Sequence, residues 1–276
     1  MNEGGNIGAA ASDYREYAPP PALAGYLLCF WTQSITGYGE YEQRVLPDGC
    51  IDIVFIDDKS PMVVGPWIKH FIARLPAGTR IVGTRCHPGR APALLGLPAA
   101  ELLNQFVPLS DVRSRKFSSS LERVTEQPSL NARRSAFEAT MLSLLAYTAP
   151  NDPIVDGSIQ WLAHHSHGRI GKLSQWIGIS GRHLQRRFSA SVGYGPKAFQ
   201  SILRFQRSLH LAGRARSRRN LAELAAAVGY ADQAHMTREI LRFSGCQPTL
   251  LFQSAQSALQ MSDFFKTSLD DACYVV

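Results

Sequence analysis

The sequence predicts an α+β protein, with a mainly β N-terminal part that holds a few helices and an all-α C-terminal part. Short β-branched and aromatic segments separated by Gly and Pro fill residues 14–110, whereas residues 154–253 show helical periodicity and no strand pattern. Charge follows the same division. Residues 151–255 contain 14 Lys and Arg against 5 Asp and Glu, a net charge of +9, whereas the rest contains 15 against 17, a net charge of −2. This asymmetry predicts an anionic polymer as the partner of the basic part.

The composition excludes several classes of protein. Hydrophobic residues make up 45% of the 276 residues and charged residues 18%, which suits buried cores and argues against wholesale disorder. No apolar run approaches the roughly 20 residues of a membrane helix, and the N-terminus lacks the basic start and apolar centre of a secretory signal. Five cysteines without a C-x-x-C pair argue against a disulfide scaffold and a zinc knuckle. We therefore expect a cytoplasmic protein with no membrane partner, no metal and no cofactor.

The N-terminal part reads as a tail followed by a small β domain. Residues 1–13 are small and polar, which predicts a flexible tail, and residues 14–112 are expected to form a sensor or interaction domain. The sequence predicts strands at 26–36, 51–56, 62–64, 68–74 and 80–84, and short helices at 91–95 and 99–106.

Helical patterns dominate from about residue 113 onward. Residues 113–150, with an amphipathic helix at 130–147, are predicted to be a helical linker or a dimerisation region. The APNDP break at 149–153 separates them from the basic part, 151–255, and residues 256–276 are expected to form a C-terminal tail.

The basic part contains an internal repeat. LSQWIGISGRHLQRRFSASVGYGP begins at Leu173, and LAELAAAVGYADQAHMTREILRFSGCQP begins at Leu221. Four positions of the first copy recur 52 residues later, pairing Leu184, Phe188, Gly193 and Pro196 with Met236, Ile240, Gly245 and Pro248. The repeat predicts that one supersecondary unit occurs twice.

Each copy has the layout of a helix-turn-helix. A short helix ends at Gly178 or Gly229, where glycine permits the left-handed backbone of a helix end. The second helix follows a good N-cap residue, Ser180 or Asp232. A single copy is equally typical of an ordinary helical corner, but two matched copies in a segment of charge +9 favour DNA binding.

Polar side chains are expected to face outward from both second helices. Arg suits guanine, Gln suits adenine, and Thr suits a thymine methyl group or a phosphate. The predicted outward or flanking residues are Arg182, His183, Gln185, Arg186 and Arg187 in the first copy, and Gln233, His235, Thr237 and Arg238 in the second. Between the copies, the amphipathic stretch 198–211 predicts a rigid spacer helix, from which Arg204 and Arg207 are expected to contact phosphates. The basic run at 214–219 is a further candidate for phosphate contact or a solvated loop.

Residues 154–252 resemble the DNA-binding domain of the AraC/XylS family of bacterial transcription regulators. The resemblance lies in IGISGRHLQRRFSASVGYGPKAF, RFQRSLHL and AELAAAVGYADQAHMTREILRFSGCQP. It implies seven helices with two helix-turn-helix units, whose recognition helices enter successive major-groove segments about one turn (~34 Å) apart. The family's base-facing positions fall on Arg182, Gln185, Arg186, Gln233, Thr237 and Arg238. Ile240, where the family usually has an aromatic residue, and Cys246 depart from its pattern.

The N-terminal part is similar to a less studied branch of these regulators with a compact N-terminal domain. VLPDGCIDIVF, MVVGP, TRCHPGRAPALLGLPAAEL and the tail segment MSDFFKT carry that resemblance, which implies little chemistry. Aromatic and polar residues in this part suggest an effector pocket lined by Trp31, Phe55, Trp67, His70, Cys86 and His87. The alternative is that these residues are core and turn residues.

The sequence contains no pattern that predicts catalysis. Cys86 and His87 are adjacent, so in a strand they point to opposite faces and cannot form a nucleophile–base pair. We therefore expect no enzyme activity and no catalytic residues. A redox sensor at Cys50 or Cys86 is a separate alternative, which requires a lowered cysteine pKa.

These observations predict a sequence-specific transcription regulator. Its C-terminal part is expected to read double-stranded DNA with two recognition helices, under the control of the N-terminal part. The alternative is a constitutive DNA-binding adaptor whose N-terminal domain makes only protein contacts. A small-molecule effector, a protein partner at the N-terminal domain, RNA polymerase and a second copy of the chain are further candidate partners.

Overall fold

The computed structural model describes residues 9–112, 121, 123–165, 167–214 and 220–258. The predicted α+β class is confirmed, with a mainly β N-terminal region and a helical C-terminal region. The strands are β1 (Ala11–Tyr17), β2 (Leu27–Thr36), β3 (Glu40–Val45), β4 (Ile51–Ile56), β5 (Met62–Val64), β6 (Phe71–Pro76), β7 (Arg80–Cys86) and β8 (Phe106–Pro108). The N-terminal region also contains the helices α1 (Ala91–Leu95), α2 (Leu109–Val112) and α3 (Leu130–Leu144), and 3-10 helices at Pro21–Leu23, Ala99–Leu102 and Leu145–Tyr147.

Six strands form an antiparallel sheet in the order β1-β2-β7-β4-β5-β8, and β3 pairs with β6 in a separate ribbon. Successive side chains of a strand point to opposite faces, so the sheet borders two apolar layers. Trp31 and Val54 are buried in the layer toward the ribbon, together with Leu75 of β6. Phe30 and Phe55 are buried in the opposite layer, which the N-terminal helices cover.

Helix α3 completes the layer that contains Phe30 and Phe55. The Phe137 ring contacts both phenylalanines edge-on, at centroid distances of 5.5 and 4.9 Å, and Met141 is fully buried beside it. Helix α3 lies within the region 113–150, for which the sequence predicts a helical linker or a dimerisation region, and its apolar face forms part of the N-terminal core.

Two N-terminal predictions need correction. The predicted tail does not extend to residue 13, since Ala11 begins β1 and the Ser12 hydroxyl accepts a hydrogen bond of 2.9 Å from Gln33 of β2. The helix predicted at 99–106 ends at Leu102, because Asn104 adopts a left-handed backbone (φ +55°) and the chain then enters β8. The strand β3 has no counterpart among the predicted elements, and it is present because β6 pairs with it along its full length.

Seven helices occupy the described part of the chain from Pro153 to Ala258. They are α4 (Pro153–His164), α5 (Ile170–Ile177), α6 (Gly181–Val192), α7 (Pro196–Arg214), α8 (Leu221–Val228), α9 (Gln233–Ser244) and α10 (Pro248–Ala258). The spacer helix predicted at 198–211 is α7, which also carries the central side chains of the C-terminal core, Phe199, Ile202 and Phe205. None of the helices described combines the length and the hydropathy needed to span a bilayer.

The N-terminal region packs directly on this helical core. Leu46, Ile68 and Leu103 lie against the C-terminal hydrophobic cluster. An ion pair of 2.9 Å joins Arg90, just before α1, to Asp156 of α4. These contacts place the sheet region against the first and the central helices of the C-terminal region.

Candidate nucleic-acid interface

Local sequence determines the turns of both helix-turn-helix units. Helix α5 ends at Gly178 and α8 ends at Gly229, and both glycines adopt a left-handed backbone with φ of +78° and +94°. Ser180 and Asp232 are the N-cap residues of α6 and α9. Each side chain accepts a hydrogen bond from the backbone N–H of the third helical residue, at 3.3 and 2.6 Å.

The apolar residues of the repeat define which face of each second helix is free. Leu184 and Phe188 of α6 and Met236 and Ile240 of α9 are fully buried. The opposite faces carry the predicted base-facing residues. Arg182, Gln185 and Arg186 are exposed on α6, Gln233 and Arg238 are exposed on α9, and His183, His235 and Thr237 are half-buried at the margins of these faces.

Most acidic residues near these faces are engaged in other contacts. Asp152 pairs with Arg187 at 2.8 Å, and the Asp232 carboxylate caps α9. Burial raises the pKa of Asp152, but the hydrogen bonds from Arg187 and from the backbone outweigh that effect, so its pKa lies below the ordinary value. Among the described residues, the exposed arginines Arg182, Arg186 and Arg238 form no ion pair. Their positive charge is therefore available to an anionic partner.

Two of the predicted DNA contacts have internal partners instead. Arg204 is only 14% exposed, forms an ion pair of 3.4 Å with Glu239, and lies over the ring of Tyr230 at 5.4 Å. Arg207 is half-buried and donates a hydrogen bond to the carbonyl oxygen of Ala163, near the end of α4. Both guanidinium groups join helices within the C-terminal region, which argues against the phosphate contacts expected of them. The side chains of the basic run at 214–219 lie outside the described residues.

Two exposed lysines that the sequence analysis did not single out lie at helix starts. Lys172 is in the first turn of α5, and Lys197 is in the first turn of α7. A positive charge is unfavourable at the positive end of a helix dipole, which makes a purely structural role a poor explanation for either residue. Backbone N–H groups at a helix start together with a lysine are well suited to bind phosphate. The conflict between charge and helix end was a signal available from the sequence.

The residues of the predicted effector pocket lie in several separate places of the structure. Trp31 and Phe55 lie in the two different apolar layers, on opposite sides of the sheet. Trp67 packs against Phe71, with 4.4 Å between ring centroids, and His70 contacts the end of α9. Cys86 is buried in the layer of Phe55, and a ring nitrogen of His87 lies 3.1 Å from the Ala24 carbonyl oxygen. Strand alternation places Trp31 and Phe55 on opposite faces of the sheet, and Trp67 and His70 lie in a loop, so these six side chains do not converge on one site.

The cysteines of the N-terminal region are poorly placed for a redox or nucleophilic role. Cys29, Cys50 and Cys86 are buried. Burial raises the pKa of the Cys86 thiol well above its ordinary value, so the thiolate required for nucleophilic chemistry is disfavoured.

Two family descriptions match the chain. Residues 173–254 match a helix-turn-helix domain, and residues 15–108 match a domain of unknown function, DUF6597. The first match spans both helix-turn-helix units, from α5 to α10. No curated protein matches the chain.

Several solved structures are similar to the chain. A probable AraC family transcriptional regulator from Rhodopseudomonas palustris is 24% identical, and the alignment covers 38% of this chain and 99% of that one, with a TM-score of 0.35. ToxT from Vibrio cholerae is 10% identical over 89% of this chain and 98% of its own, with a TM-score of 0.43. A ToxT structure with bound unsaturated fatty acid is 11% identical over 91% of this chain and 97% of its own, with a TM-score of 0.39.

Proposed function

Because the C-terminal part of this chain carries an AraC-type helix-turn-helix domain, we propose that the protein is a sequence-specific DNA-binding transcription regulator with two reading helices. In this proposal α6 and α9 are the recognition helices, and they enter two successive segments of the major groove. The N-terminal region, which packs on the same helical core, is the point of control.

The strongest support for the proposal comes from two equivalent arginines. Arg186 and Arg238 occupy the same position of the two repeats, 52 residues apart, and both side chains are exposed. Neither forms an ion pair among the described residues, although the neighbouring repeat positions Arg187 and Glu239 do. An exposed, unpaired arginine on the second helix of each unit matches the bidentate recognition of guanine.

The other side chains on or beside these faces differ in the groups that they can recognise. Gln185 is suited to adenine, and Thr237, at the equivalent position of α9, is suited to a thymine methyl group. Lys172 and Lys197 are assigned to phosphates, because a helix start supplies backbone N–H groups beside each ammonium group. Phosphate contacts position the protein, and base contacts determine which sequence it selects.

The test is selection of random duplex DNA by the full-length protein at physiological salt, followed by sequencing of the bound fraction. The proposal expects an enriched motif with two half-elements about 10 bp apart, one for each recognition helix. A motif with one half-element would mean that only one helix-turn-helix unit contacts bases. Binding without enrichment would overturn the sequence-specific function and favour a constitutive adaptor.

A matched pair of variants identifies the reading helices. Arg186→Ala is expected to remove the preference at one position of one half-element, and Arg238→Ala at one position of the other. The control is Arg74→Ala, because Arg74 is exposed on β6 and pairs with Glu42 at 3.0 Å, within the N-terminal ribbon. The control is expected to select the same motif as the wild type.

A further inference from the structure

One loop of the N-terminal region contacts the ends of both recognition helices. The loop comprises residues 65–70, between β5 and β6, and is called the clamp loop below. Gly193 is the C-cap of α6 and Gly245 is the C-cap of α9. These glycines lie 52 residues apart at equivalent positions of the repeat.

The clamp loop approaches each glycine so closely that an added side chain would displace it. A Cβ atom added to Gly193 would lie 2.5 Å from Cγ of Pro66, and one added to Gly245 would lie 2.4 Å from Cε1 of His70. Both glycines also have positive φ, +98° and +68°. The positive φ therefore favours glycine at both helix ends, and an added side chain would also displace Pro66 or the ring of His70.

Hydrogen bonds join the N-terminal region to the last turn of α9. The backbone N–H of His70 donates to the Phe243 carbonyl oxygen at 2.8 Å, and Nη1 of Arg44 in β3 donates to the Ser244 carbonyl oxygen at 2.6 Å. The last carbonyl groups of a helix have no partner within it, so these donors satisfy acceptors that otherwise require water. The position of α9 thereby depends on the N-terminal region.

The clamp loop is itself anchored to the N-terminal region. Asn104 donates its backbone N–H to the Pro66 carbonyl oxygen and accepts from the Ile68 N–H through Oδ1, both at 3.0 Å. Gly65 donates to the carbonyl oxygen of Gln105 at 2.9 Å. The segment before β8 therefore carries the clamp loop, and a displacement of that segment is passed on to both helix ends.

Two buried polar atoms of the clamp loop lower the free-energy cost of such a displacement. Nε1 of Trp67 and Nδ1 of His70 are buried, and neither has a hydrogen-bond partner among the described residues. Release of the loop would hydrate both atoms, which reduces the free-energy difference between the docked and the released loop.

We infer that the clamp loop sets the relative position of α6 and α9, and thereby the spacing of the two half-elements that the protein accepts. Pro66 and His70 are positioning residues in this inference, because they act through the helix ends and contact no DNA. The inference rests on the proposed function, since it assumes that both helices read DNA. It assigns to the N-terminal region a physical means of controlling the C-terminal region.

The experiment measures spacing tolerance with the full-length protein. The half-elements selected by the wild type are placed in duplexes whose spacing is native, or longer or shorter by one to about five base pairs, the last being roughly half a helical turn. The wild type is expected to bind the duplex with native spacing roughly tenfold or more tightly than the others. This difference in affinity is similar to that caused by one mismatched base pair. The Pro66→Ala/His70→Ala variant is expected to reduce this preference to about twofold while it still selects the same half-elements.

The control is the Ile72→Ala/Arg74→Ala variant, which truncates two exposed side chains of the adjoining strand β6. It is expected to keep the spacing preference of the wild type. Equal spacing preferences in the clamp variant and the wild type would overturn the inference, whereas absence of any motif in the wild-type selection would overturn the proposed function instead. If the double variant does not melt cooperatively, the single variants Pro66→Ala and His70→Ala give the same comparison, and an unchanged preference in both folded variants would also overturn the inference.

Discussion

Arg187 and Glu239 occupy the same position of the two repeats, and each forms an ion pair with the helix that precedes its own unit. Arg187 donates two hydrogen bonds of 2.8 Å to Asp152, the N-cap residue of α4. Glu239 accepts from Arg204 of α7 at 3.4 Å. The second helix supplies the positive partner in the first unit and the negative partner in the second. In both units the pair joins that helix to the helix that precedes the unit.

We predict that the second pair stabilises the fold more than the first. In Glu239→Gln, Arg204 stays only 14% exposed without its carboxylate, which is expected to lower the free energy of unfolding by about 1–3 kcal/mol. Arg187 is 34% exposed, so solvent screens its pair and Arg187→Gln is expected to cost at most about 1 kcal/mol. Urea unfolding of both variants measures the difference, and a larger loss in Arg187→Gln would contradict this ranking.

Contacts with bases and with phosphates are expected to respond differently to mutation. Arg186→Ala and Arg238→Ala should each lose about 1–3 kcal/mol of discrimination at one base position. Lys197→Ala should weaken binding equally for all DNA sequences. It should also reduce the slope of log binding constant against log salt concentration by about 1. Titrations of specific and random duplexes at several salt concentrations separate the two patterns. Equal losses on both duplexes in the arginine variants would refute their role in base reading.

The close approach of β7 to Trp31 predicts a site that is intolerant of a methyl group. A Cβ atom at Gly83 would lie 2.3 Å from the Trp31 ring, so Gly83→Ala is expected to lower the free energy of unfolding by about 1–3 kcal/mol through overpacking. Gly25→Ala is the matched control, because no heavy atom lies within 4 Å of its added methyl group. Thermal melting of the two variants tests the contrast, and similar melting temperatures would show that the sheet can accommodate the methyl group.

Removing one partner of the buried ion pair in the sheet should lower the free energy of unfolding far more than removing one partner of an exposed pair. Arg85 is 4% exposed and donates two hydrogen bonds of 3.0 Å to its cross-strand neighbour Asp52. Asp52→Ala removes the closer of two carboxylates and leaves this buried guanidinium with Asp48 at 3.7 Å, with an expected loss of about 3–5 kcal/mol. Asp13→Ala removes the exposed pair with Arg15 and is expected to leave stability unchanged. Urea unfolding compares the two, and a small loss in Asp52→Ala would show that Asp48 or water replaces the missing carboxylate.

Stability is expected to fall as the pH drops below the ordinary histidine pKa of 6.5. Burial lowers the pKa of His70, and the nearby charges of Arg44 and Lys69 act in the same direction. Burial also lowers the pKa of His87. The folded state holds both rings neutral. Their contribution to the free energy of unfolding is therefore complete above pH 6.5, and it is lost as the pH falls through their lowered folded-state pKa values.

Urea unfolding at pH 7.5 and pH 5 measures this loss. The His70→Gln/His87→Gln variant should show a smaller difference between the two pH values than the wild type. His164→Gln is the control, since His164 is exposed at the end of α4, and it should retain the wild-type difference. An identical pH dependence in the wild type and the double variant would exclude both histidines as its source.

The C-terminal helices were predictable because their signals are local. The N-cap residues Ser180 and Asp232 and the left-handed Gly178 and Gly229 act within one helical turn of their own position. Apolar residues four apart then determine the buried face, as Leu184 and Phe188 do in α6. The assignment of base-facing residues to particular bases remains a prediction.

The N-terminal strands were less predictable because pairing is not local. The strand β3 is largely polar and only partly buried, and it forms because β6 lies beside it. Trp31 and Phe55 both have the character of pocket residues, but the register of the sheet places them on opposite faces. The clamp loop shows no sequence pattern of its own, since its role depends on two helix ends that lie far from it along the chain.

By itself, the sequence determined the fold class, the repeated helix-turn-helix and the faces of its helices, because periodicity and capping depend on neighbouring residues. Which charges remain free depends on how the helices pack. Arg186 and Arg187 are adjacent and chemically identical, yet Arg186 is exposed on α6 whereas Arg187 is bound to Asp152, 35 residues earlier in the chain. The physical reason is that an ion pair depends on distance in space, which packing of the helices sets and composition does not.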